Sequence, residues 1–402
     1  MAIQPTGGEE EQASPGASLE CRAGSTCATP NLPEGLSIKR RDSGSLAARA
    51  NEFAELPWTR PRQRLESGLG DYPLIAIVGP TAAGKSALAL ALAGYLDGEI
   101  VNYDSVQLYR GFDVGSGKLA LAERRGIAHH LLDCLEPGQV FTAGDYRREA
   151  LKVLADLRAR GKLPIFAGGT GLYLRALFLG LFEGPARSEP LRERLRKMVR
   201  RRGREFLHRL LARLDRTAAA RIQPRDTQKL IRALEVCILA RQPLSTLQAR
   251  GRAELAGFRV IKIGLDPPRA QLYDRINRRV ESMFAAGLWE EAQTMLSRPD
   301  AEHIKALGAL GYRQACAALE GKTRREGALA ATQAATRHYA KRQMTWFRRE
   351  ADITWFEGFG DDPHVQRRVI ESLSRTPAAL MGTGPEPSEV SPALPFSRQG
   401  DT

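Results

Sequence analysis

The chain has 402 residues, 43% of them apolar and 26% charged, and a formal net charge of +14. That length buries one large core or two modest ones, and the composition is ordinary for a soluble protein. No apolar run approaches the roughly 18 residues of a membrane span, no basic segment with an apolar core marks a secretory signal, and the cation excess points to a polyanionic partner, nucleic acid first. The cysteines, Cys21, Cys27, Cys134, Cys237 and Cys316, form no C-x-x-C pair and no Cys/His set with zinc spacing. Such a scattered set fits a reducing compartment, so the cytoplasm is expected.

Residues 1–71 are rich in Gly, Ser, Glu, Ala and Arg without a sustained apolar period, and read as a disordered extension. The Arg-rich stretch Leu36 to Arg64 mimics a transit segment, but Asp42, Glu52 and Glu55 count against one. The ordered core starts near Tyr72, with a first part expected over 72–187. Leu74 to Val78 reads as a buried strand and Ala87 to Leu96 as a helix. Between them, Gly79-Pro80-Thr81-Ala82-Ala83-Gly84-Lys85-Ser86 fits G-x-x-x-x-G-K-[ST]. Such a loop turns backbone N–H groups inward at the positive end of a helix. Lys85 adds a point charge on phosphate, and the Ser86 hydroxyl reaches a magnesium ion. The motif recognises phosphate and not a reaction.

Glu99 to Asn102 is a second strand, with Asp104 at its carboxyl end, where open α/β sheets bind ligands. A bare Asp there is more often a cap or turn residue. Gly111 to Gly117 is a loop. His129 and His130 point two ways, which suits packing or a structural hydrogen bond better than shared metal binding. A helix over Asp145 to Arg160 stops at Gly161, and Leu163 to Ala167 is the next strand. Gly168-Gly169-Thr170 then forms either a second small nest for a phosphate or leaving oxygen, or an ordinary turn. The magnesium-holding Asp of a P-loop ATPase is missing from this strand end, which weakens ATP hydrolysis without excluding a kinase.

A helical insertion is expected over 188–257. Ser188 caps a helix with Leu191, Leu195 and Met198 on one face, and the next helix carries Phe206, Leu207, Leu210, Leu211 and Leu214. Arg192, Arg194, Arg196, Lys197, Arg200, Arg201, Arg202 and Arg204 give a basic outer surface dense enough to favour RNA contact. In the helix from Asp226 to Arg241, Leu230, Leu234, Cys237 and Ile238 face inward, while Gln228, Arg232 and Glu235 share the other side. The second part of the core, 258–360, opens on a strand over Val260 to Leu265. A long helix with Arg275, Arg278 and Arg279 follows, then a helix over Arg324 to Arg349 and a strand over Asp352 to Phe356. Cations and rings mix at Lys341 to Arg349, as phosphate pairing and base stacking both want. A core-facing Trp346-Phe347 pair explains that spacing equally well. The tail, 361–402, is Pro/Ser-rich and expected to be disordered.

Together these elements make an α/β protein, a P-loop NTPase-like parallel sheet flanked by helices with a helical insertion. The ordered set is similar to the bacterial tRNA dimethylallyltransferases from about Pro73 to Phe356. It comprises Gly79 to Ser86, Asp104-Ser105-Val106-Gln107-Leu108-Tyr109-Arg110, His129-His130-Leu131, Gly168-Gly169-Thr170-Gly171-Leu172-Tyr173, Arg232-Ala233-Leu234-Glu235-Val236, Gly311-Tyr312-Arg313-Gln314 and Lys341-Arg342-Gln343-Met344-Thr345-Trp346.

The resemblance implies transfer of a dimethylallyl group from its diphosphate to N6 of the adenosine 3′ to the anticodon, with Mg2+ as cofactor. It implies catalytic roles for Asp104, Thr170 and Arg279, and diphosphate binding by Gly79, Pro80, Thr81, Ala82, Ala83, Gly84, Lys85 and Ser86. It implies tRNA contacts at Asp104, Ser105, Val106 and Gln107, at Thr170 and Arg192, and at Gln228, Lys229, Leu230, Ile231 and Arg232. Further contacts are implied at Gly308, Ala309, Leu310, Gly311, Tyr312 and Arg313, and at Lys341, Arg342, Gln343, Met344, Thr345, Trp346, Phe347 and Arg348. The chain departs from the family pattern at Tyr103, which could narrow the base pocket, and more mildly at Ser116, Gly117 and Tyr146. A monomer is expected. The rival readings are an ATP-dependent small-molecule kinase, which needs no basic insertion, and a non-catalytic RNA-binding protein, which leaves the phosphate loop unused.

Overall fold

The computed structural model describes residues 71–374. The expectations for residues 1–70 and 375–402 lie outside the described residues. Strands β1 (Tyr72–Val78), β2 (Gly98–Asn102) and β4 (Leu163–Ala167) are buried along their whole length, including Glu99 and Asn102 of β2. With β3 (His129–His130), β5 (Phe258–Asp266) and β6 (Ile353–Glu357) they form one parallel sheet in the order β3-β2-β4-β1-β5-β6. The chain leaves β1 toward β2 but leaves β4 toward β5. The carboxyl ends of β1 and β4 therefore flank the crevice where open sheets bind ligands.

Helix α1 (Lys85–Leu96) follows the phosphate loop. Helix α2 (Ala143–Ala159) begins two residues before the expected Asp145, because Thr142 is its cap. Thr142 Oγ1 accepts from the Asp145 N–H, and the Asp145 carboxylate accepts from the Thr142 N–H. Helix α3 (Gly171–Phe178) leaves β4. On the far edge, His130 Nε2 lies 2.7 Å from Glu99 Oε2, and His129 Nδ1 lies 2.9 Å from the Ile127 carbonyl, so both histidines are structural.

The insertion comprises α4 (Glu189–Arg202), α5 (Arg204–Leu214), α6 (Arg216–Arg221), α7 (Thr227–Ala240) and α8 (Leu244–Ala249). They bury a cluster of their own, with Leu195, Leu207, Leu211, Leu230 and Leu234 at its centre. Several expectations for its faces are corrected. Glu235 is fully buried, whereas Ile238 is exposed. Arg192 leaves the outer face to bind Glu235 through two hydrogen bonds of 2.8 and 2.7 Å. The Ser188 N–H and Arg232 also donate to Glu235. Burial alone raises the Glu235 pKa, but the bonds from Arg192, Ser188 and Arg232 hold it down to about 2. A buried carboxylate persists here because four donors satisfy it.

The expected long helix after β5 is two, α9 (Arg269–Ala285) and α10 (Leu288–Leu296), separated at Gly287. Helices α11 (Tyr312–Leu319) and α12 (Arg325–Phe347) then lead to β6. The expected tail boundary at 361 is also corrected, because α13 (Pro363–Ser374) buries Val365, Val369, Ile370 and Leu373. Gln366 of α13 donates to the Gly360 carbonyl at 2.8 Å, and the Gly360 N–H donates to the Ala83 carbonyl at 2.8 Å. The helix thus braces the phosphate loop. Ending the chain after Asp362 is expected to cost on the order of 4 kcal/mol from lost apolar burial. Urea unfolding measures this, and an unchanged midpoint would contradict it.

Candidate active site

The phosphate loop leaves β1 with Ala82 (φ 63) and Gly84 (φ 84) in left-handed conformations. A Cβ on Gly84 would lie 2.6 Å from Asp361 Oδ1 and 2.7 Å from the Gly360 nitrogen, so only glycine fits. Asp361 is itself held by Arg275 through bonds of 2.7 and 2.9 Å. Lys85 Nζ donates to the carbonyls of Gly79 and Pro80 at 3.1 and 2.7 Å.

Across the crevice, Asp104 ends β2 as a turn residue whose Oδ1 accepts from the Val106 N–H at 2.9 Å and the Gln107 N–H at 3.4 Å. Its Oδ2 accepts no hydrogen bond among the described residues and lies beside Gly169, where an added Cβ would be 3.0 Å away. One oxygen thus builds the turn and the other is left for a ligand. A cavity of about 1240 Å³ joins the two loops. Lys85, Ser86, Asp104, Gln107, Arg278, Arg279, Tyr339 and Gln343 line it, with Val114, Leu119 and Met283 as apolar wall.

Arg279 reaches the cavity from α9. Its Nη2 occupies the space beside Gly117, where a Cβ would fall 1.9 Å away. The glycine there (φ 62) is therefore required twice, for its backbone and for the guanidinium. Among the described residues no carboxylate pairs with Arg279 or with Lys85. Burial pushes both pKa values down, that of Lys85 to about 7. Arg279 adds to the fall at Lys85 and Arg275 to that at Arg279, while Asp104 opposes both. Lys118, by contrast, is neutralised by Asp113 and Asp133. Cations left unneutralised beside a phosphate loop are the electrostatics of a polyanion site.

The sequence model of the IPP transferase family matches residues 107–350. The tRNA dimethylallyltransferase of Koribacter versatilis is 54% identical over 305 residues, which are 76% of this chain and 99% of that protein. Its counterpart in Solibacter usitatus is 49% identical over 303 residues, 75% and 98% of the two chains. Among solved structures, the full-length tRNA isopentenylpyrophosphate transferase from Bacillus halodurans is 36% identical. It superposes with a TM-score of 0.57 over 77% of this chain and 96% of its own. The chain belongs to the IPP transferase family.

In this IPP transferase several expected site residues occupy other places. The Thr170 hydroxyl accepts from the Ser105 N–H at 3.0 Å and donates to Ser105 Oγ at 3.2 Å, tying β4 to the carboxylate loop instead of lining the cavity. Leu230, Ile231, Tyr312, Gln343 and Phe347 are buried in the free protein. Gln228, Lys229, Arg313, Lys341, Arg342, Thr345, Trp346 and Arg348 are exposed. Arg175 stacks over Trp346 with its guanidinium 4.9 Å from the ring centre.

Tyr103 does not narrow the pocket. It is fully buried, and its hydroxyl donates to the Ile77 carbonyl at 2.6 Å. Tyr146 stacks on Tyr173 at 4.3 Å. Glu291 of α10 escaped the sequence reading. Its carboxylate accepts from the N–H groups of Asp113, Val114 and Gly115 and from the Tyr312 hydroxyl, fixing the loop that Arg279 crosses. The one signal in the sequence was an acid in the first turn of a helix, which reads as a cap.

Proposed function

We propose that the chain transfers the dimethylallyl group of dimethylallyl diphosphate to N6 of the adenosine 3′ to a tRNA anticodon. The observation that carries this reading is one cavity lined by Lys85 and Arg279, with which no carboxylate pairs among the described residues, and by Asp104 with its free oxygen. The diphosphate sits on the loop amides against Lys85 and Arg279, which stabilise the charge that develops as the allylic C–O bond breaks. Val114, Leu119 and Met283 receive the short prenyl chain. The target base leaves the anticodon stack to enter. Asp104 Oδ2 orients its amino group and accepts the N6 proton as the N–C bond forms.

The donor set fits Mg2+, which keeps several waters and binds substrate phosphates with few protein groups. The exposed Ser86 hydroxyl on the cavity wall would hold it, and no group of three His, Cys, Asp or Glu competes among the described residues. Bound there, the ion would neutralise charge on the leaving diphosphate. The exposed Arg194, Lys197, Arg201 and Arg202 of α4, with Lys341 and Arg348 on and just after α12, offer phosphate contacts for the tRNA. Every group named comes from a single chain, so a monomer suffices, and a tRNA substrate supports a cytoplasmic reaction. No helix among the described residues is long and apolar enough to cross a membrane.

Incubation with labelled dimethylallyl diphosphate, Mg2+ and unmodified tRNA is expected to put label into the RNA. Unlabelled RNA together with ATP consumption would overturn the reading in favour of a kinase.

Donor binding must also restore the Lys85 proton. Burial holds the Lys85 pKa down to about 7 and a bound diphosphate favours its charged form, so affinity should weaken as pH rises above that value. About one unit higher, binding should take up about one proton, measured as buffer-dependent heat. Lys85→Met should abolish the uptake. Equal heats in all buffers for the unaltered protein would contradict this.

A further inference from the structure

We infer that Gln343 is a positioning residue that sets the separation between the phosphate loop and the Asp104 side of the cavity, and that it does not touch tRNA. The inference rests on the prenyl-transfer reading above. Gln343 lies on α12 and is only 5% exposed. Its Oε1 accepts from the Thr81 N–H of the phosphate loop at 2.7 Å, and its Nε2 donates to the Gly169 carbonyl after β4 at 2.9 Å. One planar amide therefore joins the donor loop to the acceptor side. One partner needs an acceptor and the other a donor, and the side-chain amide supplies both. A carboxylate supplies only the first, an ammonium or guanidinium only the second, and a hydrocarbon neither.

Gly169 is the point where this brace meets the reacting groups. A Cβ placed on it would lie 2.9 Å from Gln343 Nε2 and 3.0 Å from Asp104 Oδ2, so amide and carboxylate share one side of the same Cα. One turn earlier on α12, the Tyr339 hydroxyl donates to the same Gly169 carbonyl at 3.0 Å. That second bond holds the acceptor side but not the phosphate loop. Prenyl transfer needs the allylic carbon and N6 within near-attack range, and a displacement of about 1 Å costs about 10²-fold. A side chain spanning both loops controls that distance.

The test measures transfer kinetics and tRNA binding on the full chain. Wild-type transfer is established first, since its absence would fell the prenyl-transfer reading itself and not the brace alone. Gln343→Met keeps the length and loses both bonds. It is expected to lower kcat about 10²-fold and raise the donor KM about tenfold, with tRNA Kd within about twofold of wild type. Tyr339→Phe removes one of the two bonds to the Gly169 carbonyl and leaves the phosphate loop held by Gln343. It should lower kcat several-fold at an unchanged donor KM, and it keeps the inference testable if Gln343→Met fails to fold. Weakened tRNA binding with wild-type kcat at saturation, in either variant, would overturn the brace and return α12 at this point to tRNA contact.

Discussion

Replacing Asp104 by Asn is expected to lower kcat by about 10³-fold while leaving tRNA Kd within about threefold of wild type. The substitution separates the two jobs of the side chain. Asn retains an oxygen to accept from Val106 and Gln107, so the turn that Oδ1 builds survives. What is lost is the carboxylate Oδ2 beside Gly169, the oxygen proposed to take the N6 proton. Asp104→Ala would remove both and mix a folding defect with a chemical one. Single-turnover kinetics at saturating tRNA give the rate, and filter binding gives the affinity. A near-normal rate with lost affinity would show that Asp104 binds the base without taking its proton.

Arg279→Met is expected to lower kcat about 10²- to 10³-fold and to leave the thermal midpoint equal or higher. The guanidinium has no carboxylate partner among the described residues, and burial and Arg275 both disfavour its charge in the free protein. Removing it relieves the cost of burying its charge and the repulsion with Lys85 and Arg275, gives up an attraction to Asp104, and breaks no ion pair among the described residues. Its charge is useful only when the diphosphate is present, above all as the leaving group gathers charge. Function and stability should move in opposite directions. A lower midpoint with unchanged kcat would instead make Arg279 a prop for the Gly117 loop.

The parts of the site legible in the sequence are those fixed by local chemistry. The phosphate loop announces itself because strand, glycines, Lys85 and Ser86 all lie within a few residues. Asp104 was placed by one further inference, that ligands gather at strand ends. What escaped depends on contacts between distant segments. The periodicity of α7 could not tell buried Glu235 from exposed Ile238, because what decides is the pairing with Arg192 across the insertion. Gln343 looked like one more polar residue in a basic run, since its partners Thr81 and Gly169 lie far away in sequence. Helix α13 was hidden by the composition around it, although Val365, Val369, Ile370 and Leu373 carry helical spacing within that tail.

The most direct measurement is a crystal structure with a non-reactive analogue of dimethylallyl diphosphate. Its diphosphate should lie on the amides of Gly79 to Ser86, in contact with Lys85 Nζ and the Arg279 guanidinium, with the prenyl end toward Asp104 Oδ2. A diphosphate bound away from Lys85, or an Asp104 side chain turned into the core, would contradict the proposed chemistry.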